Sequence, residues 1–184
     1  MEIKERKLKS VFEINLYPHT DDRGFFMRTY NNEIFNEVGL SFNWVQENHS
    51  KTINRGTIRG LHFQFPPYSE TKLVRCIQGA ILDVFVDLRK DSSTFGKWDM
   101  VELSEANLKM VFIPRGFAHG FCTLTENAHV LYKVDNYYSK ENERGIIWDD
   151  SELKIVWPVK NPVLSDKDLK NLTFKQFKEQ IKAI

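Results

Sequence analysis

The sequence predicts an all-β domain, a sandwich or barrel with a few short peripheral helices. From Val11 onward, apolar residues tend to recur at every second position in short runs, which is typical of strands with one buried face. Gly, Pro, Asn and Asp separate these runs and indicate turns. Helical periodicity is confined to two segments. Strands this short and this regularly spaced indicate a sandwich or a barrel.

The clearest predicted strand runs from Ile81 to Leu88. Because successive side chains of a strand point to opposite faces, Asp83 and Asp87 lie on the same face of this strand. Turn signals at Gly79, Gly96 and Pro114-Arg115-Gly116 separate it from similar runs. These further predicted strands are Lys72–Ile77, Trp98–Leu103, Met110–Ile113, Gly120–Leu124 and His129–Asp135.

Two helices are predicted at the edges of this β-rich pattern. The first covers Asn31–Val38 and ends at Gly39, which suits the left-handed conformation that often closes a helix. The second lies in the tail from Thr173 and has an apolar stripe made of Phe174, Phe177, Ile181 and Ile184. We expect this tail helix to pack on the barrel or on a partner subunit.

Length and composition limit the classes of function. With 184 residues and no repeat or linker, the chain is expected to form a single domain over residues 1–184. Lys and Arg total 26 against 25 Asp and Glu, so the basic excess of a nucleic-acid partner is missing. No apolar run has the length of a membrane span or signal peptide. Cys76 and Cys122 are expected to be buried, reduced thiols, so we predict a cytoplasmic protein.

Two of the five histidines occur where chemistry is plausible. His62 follows Arg59-Gly60, and Lys72 begins a strand ten residues later, so an imidazole that titrates near neutral pH is accompanied by two cations. That combination suits an anionic substrate. His119 follows a Pro-Arg-Gly turn and begins an apolar strand. From spacing alone, a loop or turn histidine without function is about as plausible for either residue.

The spacing Pro114-x-Gly116-x-x-His119 resembles the second half of the cupin signature, which raises the question of a metal. Metal-binding cupins have two histidines one residue apart, whereas the matching stretch here is His62-Phe63-Gln64. Because a catalytic transition metal normally needs three or four ligands, a metal-free cupin is favoured over a metal-dependent oxygenase. A ligand from elsewhere in the chain would reopen that alternative.

Taken together, the motifs resemble those of the dTDP-4-dehydrorhamnose 3,5-epimerase family over nearly the whole chain. The matching blocks include Asp22–Phe26, Gln46–Ser50, Arg59–Gln64, Lys72–Val74, Thr94–Trp98, Gly116–Phe121, Tyr132-Lys133, Trp148 and Leu164–Asp168. The resemblance implies a cupin-type jelly-roll homodimer without metal or redox cofactor. It also implies a nucleotide-sugar substrate, a 4-keto-6-deoxyhexose whose C3 and C5 are inverted beside the C4 ketone.

The resemblance assigns four residues to the reaction. His62 would be the base and Asp168 the carboxylate that orients it, while Lys72 would face the enolate oxygen. Tyr132 would be the acid on the opposite face, since its reference pKa of about 10 keeps it protonated at neutral pH. Without the resemblance, Tyr132 would be interpreted as a core tyrosine and Asp168 as part of a helix start.

The resemblance also implies a set of substrate contacts. Arg23, Arg59 and His119 match positions that hold the diphosphate and sugar. Gln46, Asn48, Glu143 and Lys167 match further polar contacts. Phe26 and Tyr138 match an aromatic pair around the base, and Asp83 is expected to face the cavity with a structural or a catalytic role.

Arg28 departs from the family pattern, which has an acid that contacts the nucleobase at this position. An arginine cannot accept a hydrogen bond from the thymine imide, but it can donate to the acceptor edge of another base. We favour a solvent-directed Arg28 and a base held by stacking. Single-centre C3 or C5 epimerases, epimerases of GDP-linked or other nucleotide sugars, and a non-catalytic sugar-binding jelly roll remain alternatives.

Overall fold

The computed structural model describes residues 1–182, which form two stacked antiparallel sheets and a small hairpin. The strands in chain order are β1 (Glu2–Glu5), β2 (Phe12–Asn15), β3 (His19–Asp21), β4 (Gly24–Phe26), β5 (Gln46–Thr52), β6 (Ile58–Gln64), β7 (Lys72–Gln78), β8 (Ala80–Asp87), β9 (Trp98–Ser104), β10 (Lys109–Ile113), β11 (Phe117–Thr123), β12 (Ala128–Val134) and β13 (Glu143–Gly145). One sheet has the order β1-β2-β10-β7-β12-β5, the other has the order β13-β6-β11-β8-β9, and β3 pairs with β4. The chain crosses repeatedly between the sheets from β6 to β12, which is the connectivity of a jelly roll and confirms the predicted fold class.

Three apolar clusters hold these layers together. Val74 and Phe85 belong to the cluster between the sheets, and their inward orientation follows from strand alternation. A second cluster covers the outer face of the five-stranded sheet, and a third, which includes Phe35, covers the outer face of the six-stranded sheet. The barrel interior is therefore packed at one end, which leaves the other end available for polar side chains.

Both predicted helices are present. The first, α1 (Asn32–Glu37), begins after Asn31, whose side chain accepts hydrogen bonds from the Glu33 and Ile34 N–H groups. The second, α2 (Phe174–Lys182), buries Phe174 and Phe177 against the five-stranded sheet, so of the two expected surfaces, the barrel and a partner subunit, it packs on the barrel. Ile184, the last member of the predicted stripe, lies outside the described residues. Nowhere in residues 1–182 is a helix both long and apolar enough to cross a membrane.

The six strands predicted from Lys72 to Asp135 correspond to β7 through β12 with small shifts at their ends. One shift matters, because β11 begins at Phe117 and His119 therefore lies inside the strand instead of at its start. Neither β5 nor β6 is among the predicted strands, and His62 lies in a strand where a loop was considered. Their inward faces carry polar residues of the cavity, so the hydrophobic alternation that marks a strand is missing.

A close contact between β6 and β11 brings two histidines side by side. The register pairs His119 with His62 and then shifts before Phe121. A Cβ atom on Gly120 would lie 2.6 Å from the Arg59 carbonyl oxygen, so only glycine fits there. The two backbones can approach closely at this point, and the side chains of His62 and His119 enter the same cavity.

Candidate active site

The open end of the jelly roll contains two adjoining cavities with volumes of about 520 and 440 Å³. His62, Lys72 and Tyr132 line both of them. His62 lies on β6 in the five-stranded sheet, whereas Lys72 on β7 and Tyr132 on β12 lie in the six-stranded sheet. The two sheets therefore present the predicted base and the predicted acid from opposite sides of one space.

A hydrogen bond of 2.6 Å joins His62 Nε2 to Asp168 Oδ1. Asp168 begins a 3₁₀ helix, Asp168–Lys170, and its N–H donates to the Ser165 hydroxyl at 3.1 Å. The Asp168 side chain is only 5% exposed, whereas His62 is 27% exposed toward the cavity. The carboxylate thus lies behind the imidazole, where it can orient the ring without meeting a ligand first.

The pKa of Asp168 lies below its usual range. Burial opposes ionisation, but hydrogen bonds from His62 and Ser165, the charge of His62 and the Gly60 backbone N–H outweigh it. Because an ionised carboxylate only accepts hydrogen bonds, Nε2 of His62 carries the hydrogen in this pair. In the neutral ring the other nitrogen, Nδ1, then has the free lone pair that a base needs.

Lys72 and Tyr132 differ in how they are held. Lys72 is 7% exposed, and its ammonium lies 3.2 Å from Glu70 Oε1. Burial raises the pKa of Tyr132, and the negative charges of Glu70 and Glu143 raise it further against the opposing charge of Arg59. Tyr132 is therefore a protonated phenol at neutral pH, facing a cavity that also contains a fixed cation.

His119 and Arg59 line the larger cavity beside His62. His119 Nε2 lies 2.8 Å from Asp83 Oδ2, and Asp83 is fully buried behind it. Burial raises the pKa of Asp83, although the charges of His119 and Lys72 act in the opposite direction. Arg59 donates to the Thr52 hydroxyl at 2.9 Å, which holds its guanidinium at the cavity wall. Two cation-capable side chains thus flank the predicted base.

The smaller cavity collects further predicted contact residues. Gln46 and Asn48 share the inward face of β5, and the Gln46 amide donates to Asn48 Oδ1 at 2.9 Å. On the opposite wall, Tyr138 donates its hydroxyl to Glu143 at 2.8 Å, and Lys167 pairs with the same carboxylate at 2.6 Å. Gln46, Asn48, Tyr138 and Glu143 thus surround a polar recess beside Tyr132, while Lys167 lines the larger cavity.

Three predicted contact residues lie away from both cavities. Arg23 and Phe26 belong to the β3–β4 hairpin, with the Arg23 side chain 90% exposed and Phe26 65% exposed. Arg28 follows the hairpin and is also exposed. Arg23 forms an ion pair with Asp21 of the same hairpin at 2.6 Å. Within one chain, therefore, the structure does not bring these residues to His62.

Sequence reasoning missed three residues of this site. Glu70 contacts Lys72, Gln64 contacts Glu70, and the Ser50 hydroxyl is buried in the wall of the larger cavity without a hydrogen-bond partner among the described residues. Gln64 and Ser50 each lie two residues from a predicted site residue on the same strand. Strand alternation places such pairs on one face, so that spacing was an available signal. No comparable signal marks Glu70, which lies in a loop.

Few side chains in the described part of the chain are placed to act as metal ligands. Within residues 1–182, no group of three or more His, Cys, Asp or Glu side chains is arranged to hold an ion. Gln64 occupies the position where metal-binding cupins have a second histidine, and its amide is engaged by Glu70 and two backbone carbonyls.

This chain is similar in sequence to proteins of one known family. A family model described as dTDP-4-dehydrorhamnose 3,5-epimerase matches residues 5–176. The Shigella flexneri protein of that name is 53% identical over 165 residues, which cover 89% of this chain and 90% of that protein.

Two solved structures are also similar. The Bacillus anthracis dTDP-4-dehydrorhamnose 3,5-epimerase with TDP and PPi bound has a TM-score of 0.92 and 46% identity, covering 94% of this chain and 99% of that one. The dTDP-6-deoxy-D-glucose-3,5-epimerase of Legionella pneumophila Philadelphia 1, in complex with dTDP-4-keto-L-rhamnose, has a TM-score of 0.92 and 35% identity, covering 98% and 96%. This chain belongs to the dTDP-4-dehydrorhamnose 3,5-epimerase family.

Proposed function

We propose that this protein inverts C3 and C5 of dTDP-4-dehydro-6-deoxyglucose to form dTDP-4-dehydro-L-rhamnose. The observation that carries the proposal is the His62–Asp168 pair, which faces Lys72 and Tyr132 across one cavity. An epimerase needs a base on one face of a carbon and an acid on the other, and this arrangement supplies both. Family membership supports the choice of substrate.

The first half of the reaction removes a proton beside the ketone. Nδ1 of His62 takes the proton from the carbon, and the C–H electron pair moves toward the C4 ketone to form an enolate. Asp168 stabilises the imidazolium that results, since its carboxylate lies 2.6 Å from Nε2. Lys72 lies in a water-poor wall, where its charge stabilises the enolate oxygen more than the neutral ketone.

The second half returns a proton to the opposite face. Tyr132 donates its phenolic proton to the same carbon, the ketone re-forms, and that centre is inverted. The enzyme is left with a protonated His62 and an ionised Tyr132, and exchange with solvent restores both. The same pair of groups then acts at the second carbon flanking C4. No oxidant or reductant enters these steps, and we propose that the reaction needs no metal or redox cofactor.

An isotope experiment tests this proposal. The protein is incubated with dTDP-4-keto-6-deoxyglucose in D₂O, and NMR follows the sugar carbons. We expect deuterium at both C3 and C5 together with inversion. Label at one carbon only would favour a single-centre epimerase, and label at neither would exclude the proposed reaction. A panel of dTDP and GDP ligands in a binding assay tests the base, and elemental analysis tests for a metal.

We propose further that the protein acts as a homodimer in which each cavity receives the β3–β4 hairpin of the partner subunit. The proposal is supported by the exposed Phe25 and Phe26 side chains, 62% and 65% accessible, on a hairpin remote from its own His62. Phe26 and Tyr138 would then enclose the nucleobase, with Arg23 near the diphosphate. Arg28 would remain in solvent, and the base would be held by stacking.

Complementation between inactive variants tests this assembly. His62→Ala and Arg23→Ala are each expected to lose activity, but a mixture of the two should recover part of it. Recovery arises because one site of a mixed dimer combines an intact His62 with an intact Arg23 of the partner. If both variants are inactive and exchange subunits without recovery, the hairpin serves its own chain.

Two broader proposals concern organisation and location. We propose that residues 1–184 form one folding unit, which predicts a single thermal unfolding transition seen equally by fluorescence and circular dichroism. We place the protein in the cytoplasm, because Cys76 and Cys122 are buried as free thiols and its substrate is a nucleotide sugar. Fractionation of the producing cells tests the location.

A further inference from the structure

Glu70 lines the smaller cavity and contacts Lys72, which lines both cavities, from a loop between β6 and β7. Its Oε1 is 3.2 Å from Lys72 Nζ, and its Oε2 accepts a hydrogen bond from Gln64 Nε2 at 3.2 Å. The side chains of Glu70 and Lys72 are only 14% and 9% exposed. Each carboxylate oxygen therefore has one partner, and both partners belong to strands that line the site.

The loop that carries Glu70 is held in place on both sides. Asn136 donates to the Pro67 carbonyl at 2.9 Å and to the Ser69 carbonyl at 3.2 Å. The Thr71 N–H donates to Asp135 at 2.6 Å, and the Ser69 hydroxyl donates to the Gln64 carbonyl at 3.0 Å. These bonds hold the loop in place, so the Glu70 carboxylate has little freedom to move and can orient the flexible Lys72 side chain.

We propose that Glu70 is a positioning residue that holds the Lys72 ammonium at the place where the enolate oxygen forms. The inference rests on the proposed epimerase reaction. Lys72 has a long, flexible side chain with three rotatable donors, and it loses rotamer entropy when one geometry is required. Because Glu70 holds the Lys72 ammonium in the free enzyme, this rotamer entropy is lost before substrate binds. Gln64 also lies within hydrogen-bond distance of Glu70 and, through β6, joins it to His62 two residues away.

A second contribution of Glu70 concerns the acid. Tyr132 faces the same cavity as Lys72 and His62, with Glu70, Glu143 and Arg59 as the charged groups that act on it. Burial raises the Tyr132 pKa most, and the negative charge of Glu70 raises it further. Glu70 thus favours the protonated phenol that must donate, in addition to orienting the lysine.

Substitution of Glu70 by glutamine separates these effects from simple packing. Glutamine has nearly the same shape but only one acceptor oxygen, so either Lys72 or Gln64 loses its partner. We expect Glu70→Gln to lower kcat by about 10- to 100-fold, the scale of a displaced catalytic group, with a smaller change in KM. The alkaline limb of the kcat/KM profile should move to lower pH, because the Tyr132 pKa falls when the neighbouring negative charge is removed.

Glu70→Asp keeps the charge but shortens the reach by one methylene. We expect it to lower kcat while its alkaline limb stays closer to that of the wild type. Glu152→Gln is the matched control, since it removes the same charge from an exposed ion pair with Lys178 outside both cavities. Thermal unfolding of each variant checks folding, and Glu70→Asp keeps the idea testable if Glu70→Gln does not fold.

The outcomes distinguish this inference from the proposed function. If the wild type turns over dTDP-4-keto-6-deoxyglucose but Glu70→Gln keeps its kcat and alkaline limb, Glu70 does not position Lys72. A loss of stability with unchanged kcat would also overturn the inference, since that is the behaviour of a structural residue. If the wild type itself shows no turnover and no deuterium exchange, the proposed reaction fails, and the role of Glu70 in it fails as well.

Discussion

Replacement of Asp168 by asparagine removes one charge from behind His62 while keeping the shape of the side chain. In the wild type, Asp168 Oδ1 accepts from Nε2 at 2.6 Å, and this leaves the lone pair of Nδ1 free. The asparagine amide can instead donate to Nε2, in which case Nδ1 carries the hydrogen and cannot act as a base. If its oxygen faces Nε2, the tautomer is kept but the imidazolium has no counter-charge.

The expected loss follows from these two effects. A carboxylate that orients a catalytic histidine is worth about 1,000- to 10,000-fold in kcat when it is replaced by an amide. That range corresponds to about 4 to 5.5 kcal/mol of transition-state stabilisation. Asp168 is only 5% exposed, so solvent cannot substitute for the lost charge, and we expect the upper part of the range.

Steady-state turnover and deuterium exchange measure the effect directly. Asp166→Asn is the matched control, because it makes the same chemical change at an exposed neighbour two residues away. If Asp168→Asn retains more than a tenth of wild-type kcat, or if Asp166→Asn loses as much, His62 does not depend on Asp168 for orientation.

The same substitution has a signature in folding stability. The pKa of Asp168 is depressed in the folded state, so its contribution is complete above its unfolded-state pKa of about 4 and is lost as the pH falls through the folded value. The stability difference between wild type and Asp168→Asn should therefore be smaller at pH 3 than at pH 7, because the Asp168 contribution is lost as the carboxylate is protonated. Urea unfolding at pH 7 and at pH 3 measures it, and a difference that grows on acidification would contradict the depressed pKa.

Three further predictions follow from the geometry. Tyr132→Phe should lower the rate of inversion by about 100-fold or more, while His62 still exchanges the substrate proton for deuterium with retention of configuration. NMR would then show deuterium in the substrate without formation of the epimer. Equal loss of exchange and inversion would argue against a base and an acid on opposite faces of the carbon. Lys72→Met should lower kcat by about 100- to 1,000-fold and change KM less, because the cation is expected to stabilise mainly the enolate. Steady-state kinetics that show a change in KM alone would contradict this. Burial raises the thiol pKa of Cys76 and of Cys122 to about 11. Neither thiol should therefore react with a disulfide reagent at pH 8 until denaturant is added. Rapid reaction of the native protein would refute their burial.

The strands with one apolar face could be predicted from local pattern, and β7 to β12 agree with that prediction. The strands that line the cavity could not, because β5 and the end of β6 place Gln46, Asn48, Ser50, His62 and Gln64 inward. A binding site needs polar groups inside, and the periodicity that identifies strands assumes that the inside is apolar. The positions where the pattern fails are therefore positions of the site.

The predicted contact residues fall into two groups, according to whether they lie on strands of the two main sheets. Residues on strands that face the barrel interior, such as Lys72 and Tyr132, meet in one cavity, because the register of neighbouring strands determines which side chains share a face. Arg23 and Phe26 lie on a hairpin outside the two main sheets, so no register within the chain places them near His62. A role for them in the site would require a second subunit or a movement of the hairpin.

The sequence by itself determined the all-β class and both helices, because each depends on residue types and spacings along a short stretch, whereas His62 was assigned as the base through the family resemblance of many such stretches together. The family resemblance implied the pairing of Asp168 with His62, 106 positions away, but only the tertiary structure showed their contact and revealed that Glu70 lies against Lys72. Contacts of this kind depend on the pairing register of strands and on the paths of loops. These are set by the packing of the whole chain, and local periodicity contains no information about them.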